Sequence, residues 1–325
     1  MTREDAFYAG VDGGASKTLA VVVDAAGRER GRGTAGCANH AVVGLDMAVG
    51  QVRKAVAEAT RLSGTPPPLR AAWIGLAGLD RPADYAALLP GLRDIARDIE
   101  LVNDAELILS ALDGGVGVAV ISGTGSNTVG RDAGGLTTRA GGWGHVMGDE
   151  GSGYDIGRSC LKAAARTSDG RGPATALLDL IMRAWRLDEP SDMFGRVYPE
   201  DKGVVARLAP LAFTAARAGD AVALDIVERA ADELAVSALA AGAPLHFPRG
   251  LPLALAGGLL AHEGDFRAAV LGRIGLRRGL GQVVVVAHPA ERAARAARHL
   301  SGHGAGTGHG AGTGHGAGTG EGLAR

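Results

Sequence analysis

Apolar runs along the chain predict two strands joined by a glycine-rich turn near its start. Residues 7–23 place the stretch GVDGGASKT between runs rich in β-branched residues, a pattern typical of strand, turn and strand. A P-loop would need glycine directly before its lysine and a helix after it. Here Ser16 precedes Lys17, and the strand-like run LAVVVD follows. We therefore predict a hairpin whose glycines let backbone N–H groups approach an anion.

The first unit continues as alternating helices and strands. After a third strand, the helical spacing of apolar residues predicts a helix over 45–62, which GTPPPL ends. A buried strand over 70–80, an amphipathic helix over 83–98, a strand over 99–104 and a helix over 105–112 follow. The predicted order is strand, strand, strand, helix, strand, helix, strand, helix.

The pattern restarts after residue 112. Residues 116–131 are again strand, Gly/Thr/Ser turn and strand, a helical stretch covers 154–240, and strand, Gly-Gly turn, helix, strand and helix close the chain. This repetition predicts a duplicated α/β unit. We place an N-terminal domain at 1–112 and a C-terminal domain with a helical insertion at 113–300. The HGAGTG repeats of 301–325 cannot bury apolar surface and are predicted to be disordered.

Composition narrows the class of protein. A chain of 325 residues suits two domains, and a net charge of −1 does not indicate nucleic acid as a partner. We expect no membrane span and no signal peptide, because no apolar run is long enough. Cys37 and Cys160 are then expected to be reduced thiols in a cytoplasmic protein. The oligomeric state stays open, with a homodimer as one candidate.

Two aspartates stand where predicted strands end beside turns. Asp12 either holds a Mg²⁺ against phosphates or forms an Asx turn before the glycines. Asp104 is either the N-cap of the next helix or a carboxylate that accepts a proton from an attacking hydroxyl. Their positions in the sequence leave both alternatives open.

Three glycine-rich stretches complete the candidate site. The turn in ISGTGSN, residues 121–127, offers hydroxyl and backbone N–H groups that suit a phosphate chain or a sugar. The stretch AGGWGHVMGDEGSGYDIG, residues 140–157, combines an aromatic face with acids, as sugar sites do. Gly257 and Gly258 either let a flat ligand such as adenine approach or simply begin a helix.

In order, GVDGGASKT, NH, GLAGLD, NDAE, ISGTGSN, GGWGHVMGDEGSGYDIG and LALAGG resemble the N-acetylglucosamine kinase family. That family belongs to the benzoyl-CoA-reductase-activator type ATPases, within the actin, hexokinase and Hsp70 superfamily. The resemblance spans about residues 8–300. It implies an α/β fold of two duplicated ribonuclease-H-like domains with a central cleft, ATP and Mg²⁺ as cofactors, and an amino sugar as the small-molecule partner.

The resemblance also implies roles for individual positions. Asp104 resembles the general base, and Asp12 keeps a metal-binding role although it is one methylene shorter than the Glu of some members. The implied nucleotide contacts are Gly13, Gly14, Ser16, Lys17, Thr124, Ala206, Gly257 and Gly258. The implied sugar contacts are Asn39, Asp80, Ser126, Asn127, Gly142, Trp143, Gly144 and Asp149.

The implied function is ATP-dependent phosphorylation of an amino sugar, with the 6-OH of N-acetylglucosamine as acceptor. Glucosamine and N-acetylmuramic acid are alternative substrates, because one pocket side chain can decide between them. An activator-type ATPase that needs no sugar is the alternative from another class. The sugar-loop residues favour the kinase, and nothing around Cys160 resembles an iron–sulfur cluster motif.

Overall fold

The computed structural model of the protein describes residues 6–79, 81–198 and 202–300. A five-stranded mixed sheet forms the first half of the molecule. Its strands are β1 (Phe7–Gly13), β2 (Thr18–Asp24), β3 (Glu29–Ala35), β4 (Leu69–Leu76) and β5 (Ala96–Asn103). The order across the sheet is β3-β2-β1-β4-β5. The three leading strands pair antiparallel, whereas β1, β4 and β5 run parallel.

A second five-stranded sheet repeats this topology. Its strands are β6 (Gly117–Ser122), β7 (Ser126–Arg131), β8 (Thr137–Gly141), β9 (Leu251–Ala256) and β10 (Leu280–Val286). The order β10-β9-β6-β7-β8, read from the other edge, matches the first sheet strand for strand. The predicted duplication, and with it the two-domain α/β fold, is confirmed. The strand β8 had no assignment in the sequence pattern.

Helices connect and cover the two sheets. The first half contains α1 (His40–Val43), α2 (Leu45–Ser63), α3 (Pro82–Leu88) and α4 (Asp104–Leu109). Between β8 and β9 lie α5 (Gly144–Met147), α6 (Gly153–Ser168), α7 (Leu177–Trp185), α8 (Asp192–Val197), α9 (Lys202–Ala206), α10 (Ala209–Arg217) and α11 (Ala221–Gly242). The chain continues with α12 (Gly258–His262), α13 (Gly264–Gly275) and α14 (Pro289–Ala297). Within the described ranges no helix is long and apolar enough to cross a membrane.

Two helices link the halves of the molecule. Ile108 on the apolar side of α4, together with Leu112 just beyond the end of the helix, packs against Ala119 and Ala254 of the second sheet. The last helix, α14, packs on the first sheet. Gly10 permits this close approach, because a Cβ at this position would overlap the backbone of Ala290. The last helix therefore lies on the sheet of residues 1–112, although it follows the second sheet in the chain.

One predicted helix is much shorter in the structure. We expected a helix over 83–98, but α3 ends at Leu88, a 3-10 turn covers Leu89–Leu92 and β5 begins at Ala96. Pro90 and Gly91 disfavour a continuous helix, since proline lacks the N–H and glycine has high backbone entropy. The predicted tail, 301–325, lies outside the described residues.

Candidate active site

The carboxyl ends of the parallel strands β1, β4 and β5 form one edge of the first sheet. Asp12 is in register with Gly75 of β4, and Gly75 is in register with Val102 of β5. Asp104 follows two residues later, and its Cα would lie 3.4 Å from a Cβ placed on Gly75. The two predicted carboxylates therefore belong to the same edge, about 10 Å apart across two strand spacings.

Asp104 is not the N-cap of its helix. The cap is Asn103, whose Oδ1 accepts a hydrogen bond from Ala105 N at 3.0 Å. The Nδ2 of Asn103 donates to Leu79 O at 3.2 Å, so both ends of this buried amide are used. Of the two alternatives that the sequence leaves open for Asp104, capping is therefore fulfilled by its neighbour.

Asp12 has the electrostatic properties of a cation site. Burial raises the pKa of Asp12 to about 6, and the Lys17 ammonium acts in the opposite direction. A bound cation would offset that desolvation and lower the pKa again. Within the described residues there is no group of three His, Cys, Asp or Glu side chains that could hold a metal. A single carboxylate nevertheless fits Mg²⁺, which keeps waters and takes its other ligands from phosphates.

The two predicted phosphate turns meet across the cleft. In the first hairpin, Gly14 N donates to Lys17 O at 2.9 Å, which closes the turn and leaves Ser16 and Lys17 exposed. The Ser16 Oγ is 2.8 Å from Thr124 Oγ1 of the second hairpin. The structure therefore brings the implied nucleotide contacts of both halves together.

The second turn rests on the N-terminus of α6. Gly153 N donates to Gly123 O at 2.8 Å, and Tyr154 N donates to Thr124 O at 3.1 Å. Ser122 Oγ, fully buried, donates to Gly151 O at 2.8 Å. The carbonyl groups of Gly123 and Thr124 thus accept hydrogen bonds from the N-terminus of α6. The hydroxyl of Thr124 is on the other side of the turn, next to Ser16.

The predicted adenosine turn closes against the same segment. Gly257 has φ 89°, and a Cβ there would overlap the backbone of Ser122. Gly258 has open space around its Cβ direction. Ala206 belongs here as well, because its carbonyl oxygen lies 3.3 Å from a Cβ placed on Gly153. All three implied contacts therefore surround the second turn.

The sugar-side residue Asn39 lies beside the Asp104 edge. It is the N-cap of α1, and its Oδ1 accepts from Ala41 N at 3.0 Å. Its amide packs over Gly78, the residue before Leu79. The implied sugar contact Asp80 lies outside the described residues.

The loop after β8 has an unusual backbone and an exposed ring. Gly141, Gly142 and Gly144 have φ of 76°, 71° and 77°, values that residues with a Cβ rarely adopt. Trp143 between them is 68% exposed. Asn127 Oδ1 is buried under this loop without a hydrogen-bond partner, next to Gly142. The loop therefore presents the aromatic face of Trp143 to a ligand, whereas the Asn127 oxygen is covered by the loop, which is costly for an acceptor without a donor.

Asp149 is directed into the protein. It is 4% exposed, has φ 63°, and its Oδ1 accepts from Ser126 N at 3.1 Å. Its Oδ2 lies 3.2 Å from the Lys202 ammonium. Ser126 is further fixed by donating its hydroxyl to Glu150 O at 2.8 Å. Lys202 carried no signal in the sequence, because it acts through a contact between distant segments. Asn103 is part of the stretch NDAE, but its roles as the cap of α4 and as a donor to Leu79 O were not predicted.

These features define a class before any comparison: a two-domain nucleotide-binding fold with phosphate hairpins from both halves and acids at one sheet edge. The model of the BadF/BadG/BcrA/BcrD ATPase family matches residues 9–271. The chain belongs to this family, and the predicted place among its N-acetylglucosamine kinase relatives is confirmed.

Individual relatives agree with this placement. An N-acetyl-D-glucosamine kinase from Dictyostelium discoideum is 32% identical over 250 residues, which cover 72% of this chain and 78% of the relative. An N-acetylmuramic acid/N-acetylglucosamine kinase from Clostridium acetobutylicum is 41% identical over 172 residues, 50% of this chain and 55% of the relative. A solved structure from Chromobacterium violaceum, described as a candidate N-acetylglucosamine kinase, has a TM-score of 0.71 at 25% identity and covers 91% of this chain and 99% of its own.

Proposed function

We propose that this protein is an ATP-dependent amino-sugar kinase that transfers the γ-phosphoryl group to the 6-OH of N-acetylglucosamine. The observation that carries the proposal is that the predicted sugar-binding groups beside Asp104 and the two predicted phosphate turns lie close together. Asn39 and Asn103 both contact the Gly78–Leu79 segment, which links the sugar side to Asp104. The phosphate turns meet at Ser16 and Thr124.

Phosphoryl transfer depends mainly on positioning and charge stabilisation. In the proposed mechanism, the exposed Trp143 ring packs on the sugar. Asn39 orients the sugar from the other side of the cleft. These contacts would set the acceptor hydroxyl in line with the terminal phosphate, which saves the entropy of a bimolecular encounter.

Asp104 then acts as the general base. This role is supported by its position at the sheet edge beside Gly75 and by the cap of α4 being Asn103 and not Asp104; the Asp104 carboxylate would take the proton of the attacking hydroxyl. Asp12 would hold the Mg²⁺, which supplies charge neutralisation at the phosphates. Thr124, Ser16 and Lys17 would orient the phosphate chain, and Gly258 leaves space for the adenine ring.

Glucosamine and N-acetylmuramic acid are the competing substrates within this proposal. A homodimer and a cytoplasmic location also remain predictions. Size-exclusion chromatography with light scattering tests the first, and fractionation of the source cells tests the second.

The product identifies the reaction. We expect ³¹P and ¹H NMR of a mixture of enzyme, ATP, Mg²⁺ and N-acetylglucosamine to show a phosphomonoester coupled to the C6 protons of the sugar. A phosphate at another carbon would correct the acceptor position. Hydrolysis of ATP to inorganic phosphate at the same rate with and without each of the three amino sugars would replace the kinase with the activator-type ATPase.

A further inference from the structure

An ion pair joins the sugar loop, which is the glycine-rich stretch of residues 140–152, to the helix α9 (Lys202–Ala206) beside the second phosphate turn. Lys202 Nζ lies 3.2 Å from Asp149 Oδ2, and the two side chains are 21% and 5% exposed. The other carboxylate oxygen of Asp149 accepts from Ser126 N. One carboxylate therefore connects the loop after β8, the turn before β7 and the helix α9.

The pair is held in a strained and crowded place. Asp149 has φ 63°, a conformation that favours glycine. Gly125 lies directly over its carboxylate, because a Cβ there would stand 2.7 to 3.0 Å from both oxygens. Without Lys202, a carboxylate in this position would stay buried with one oxygen lacking its charged partner, which is strongly unfavourable. The lysine therefore controls whether the carboxylate can remain inside.

The helix that carries Lys202 ends at the nucleotide turn. Ala206, the last residue of α9, lies against Gly153, whose N–H donates to Gly123 O at 2.8 Å. One residue earlier in α9, Val205 O occupies the place that a Cβ on Gly157 would need. The backbone of α9 thus rests directly on the backbone of α6, so a displacement of one helix is transmitted to the other.

We propose that Lys202 is a positioning residue that couples sugar binding to nucleotide binding. Its ammonium fixes Asp149, which sets Ser126 and the sugar loop, while the other end of the same helix sets the turn that receives the nucleotide. Order imposed at either end reduces the ordering that the other ligand must still impose. This inference rests on the proposed function, since it needs an amino sugar and a nucleotide to share the cleft.

Calorimetry with ADP and N-acetylglucosamine as the probes tests the coupling. The sugar Kd is measured without ADP and with saturating ADP, and the ratio of the two values is the coupling factor. We expect Lys202→Met to raise the sugar Kd in the presence of ADP about thirtyfold or more, and to bring the coupling factor to about 1. Lys202→Arg, which keeps the charge, should restore most of the coupling. Lys54→Met, at an exposed position of α2, serves as the charge-matched control.

Each result decides between the alternatives. An unchanged coupling factor in Lys202→Met overturns the proposal, also when the sugar Kd rises, because a purely structural role would weaken binding without removing coupling. If Lys202→Met does not fold, the double variant Asp149→Asn/Lys202→Met removes both charges, and persistent coupling in it overturns the proposal. A wild-type protein that binds ADP but none of the amino sugars contradicts the proposed function instead.

Discussion

The two phosphate turns occupy equivalent places in the two sheets, yet they are built differently. The first turn is closed by Gly14 N donating to Lys17 O and is anchored at its start by backbone groups of its own half, since Ala38 N donates to Gly14 O and Ala77 N to Gly13 O; the side chains of Ser16 and Lys17 stay exposed. The second turn is fixed by groups from segments far along the chain, including Gly151, Gly153 and Tyr154.

The two halves also contribute different groups to the candidate site. The first half provides the acids, Asp12 and Asp104, at the end of its parallel strands, together with the exposed side chains of Ser16 and Lys17. The second half provides the turn that the N-terminus of α6 supports and the exposed ring of Trp143. Under the proposed function, substitution of Asp104 affects mainly the reaction rate, whereas substitution at the second turn affects mainly stability and binding.

The largest effect is expected for Asp104→Asn. Loss of the proposed general base should lower kcat about a hundredfold to ten-thousandfold, while the sugar Kd changes little, since the amide keeps the shape of the carboxylate. Steady-state kinetics and calorimetry with N-acetylglucosamine measure both quantities. Asp98→Asn, at the opposite end of β5 where Asp98 pairs with Arg70, is the control. A variant with near-normal kcat would remove Asp104 from the mechanism.

The glycine pair after β9 separates stability from binding. Gly257→Ala should lower the free energy of unfolding by about 2 to 4 kcal/mol, because it combines overlap with Ser122 and a positive φ. Gly258→Ala has open space and should leave stability within about 0.5 kcal/mol. If adenine lies against Gly258, the same substitution raises the KM for ATP. Equal stability of the two variants in urea unfolding would contradict the close packing of Gly257 against Ser122.

Asp12 should make stability depend on pH in the metal-free protein. Its pKa is raised to about 6 in the folded state from 3.8, so the folded state binds the proton more tightly than the unfolded state does. The associated stability is present below pH 3.8 and is lost as pH rises through about 6, by up to about 3 kcal/mol. Urea unfolding at several pH values measures this loss, and Asp12→Asn should abolish it. A variant with the wild-type pH dependence would assign the proton elsewhere.

The smallest effect concerns the contact between the turns. Ser16→Ala removes the partner of Thr124 and should cost about 0.5 to 1.5 kcal/mol of stability. The double variant with Thr124→Ala should show non-additivity of similar size in a double-mutant cycle. Strict additivity would mean that the two hydroxyls do not interact in solution.

The sequence predicted the parts of this molecule that have local causes. Both hairpins, the helix over 45–62 and the strand before Gly257 follow from apolar spacing and turn residues, and their repetition revealed the duplication. The helical spacing of apolar residues continues past Pro90 to residue 98, whereas α3 ends at Leu88.

Features that depend on distant contacts could not be read from the sequence. The packing of α14 on β1 requires that Gly10 lacks a side chain, which has no local signature. The inward orientation of Asp149 depends on Lys202, more than fifty residues later. The sequence does not decide whether Asn103 or Asp104 caps α4, because both residue types are favoured caps, and the second contact of the Asn103 amide, with Leu79 O, comes from a distant segment.

Sugar-dependent release of ADP tests the central claim most directly. Coupled ADP release would be measured with Mg·ATP and N-acetylglucosamine, glucosamine, N-acetylmuramic acid or no sugar, for the wild type and Asp104→Asn. The proposed kinase reaction predicts that one sugar drives ADP release in the wild type. It also predicts that the Asp104→Asn variant still binds that sugar but no longer releases ADP. Equal ADP release with and without sugar would contradict it, because the Trp143 loop would then not be a sugar site.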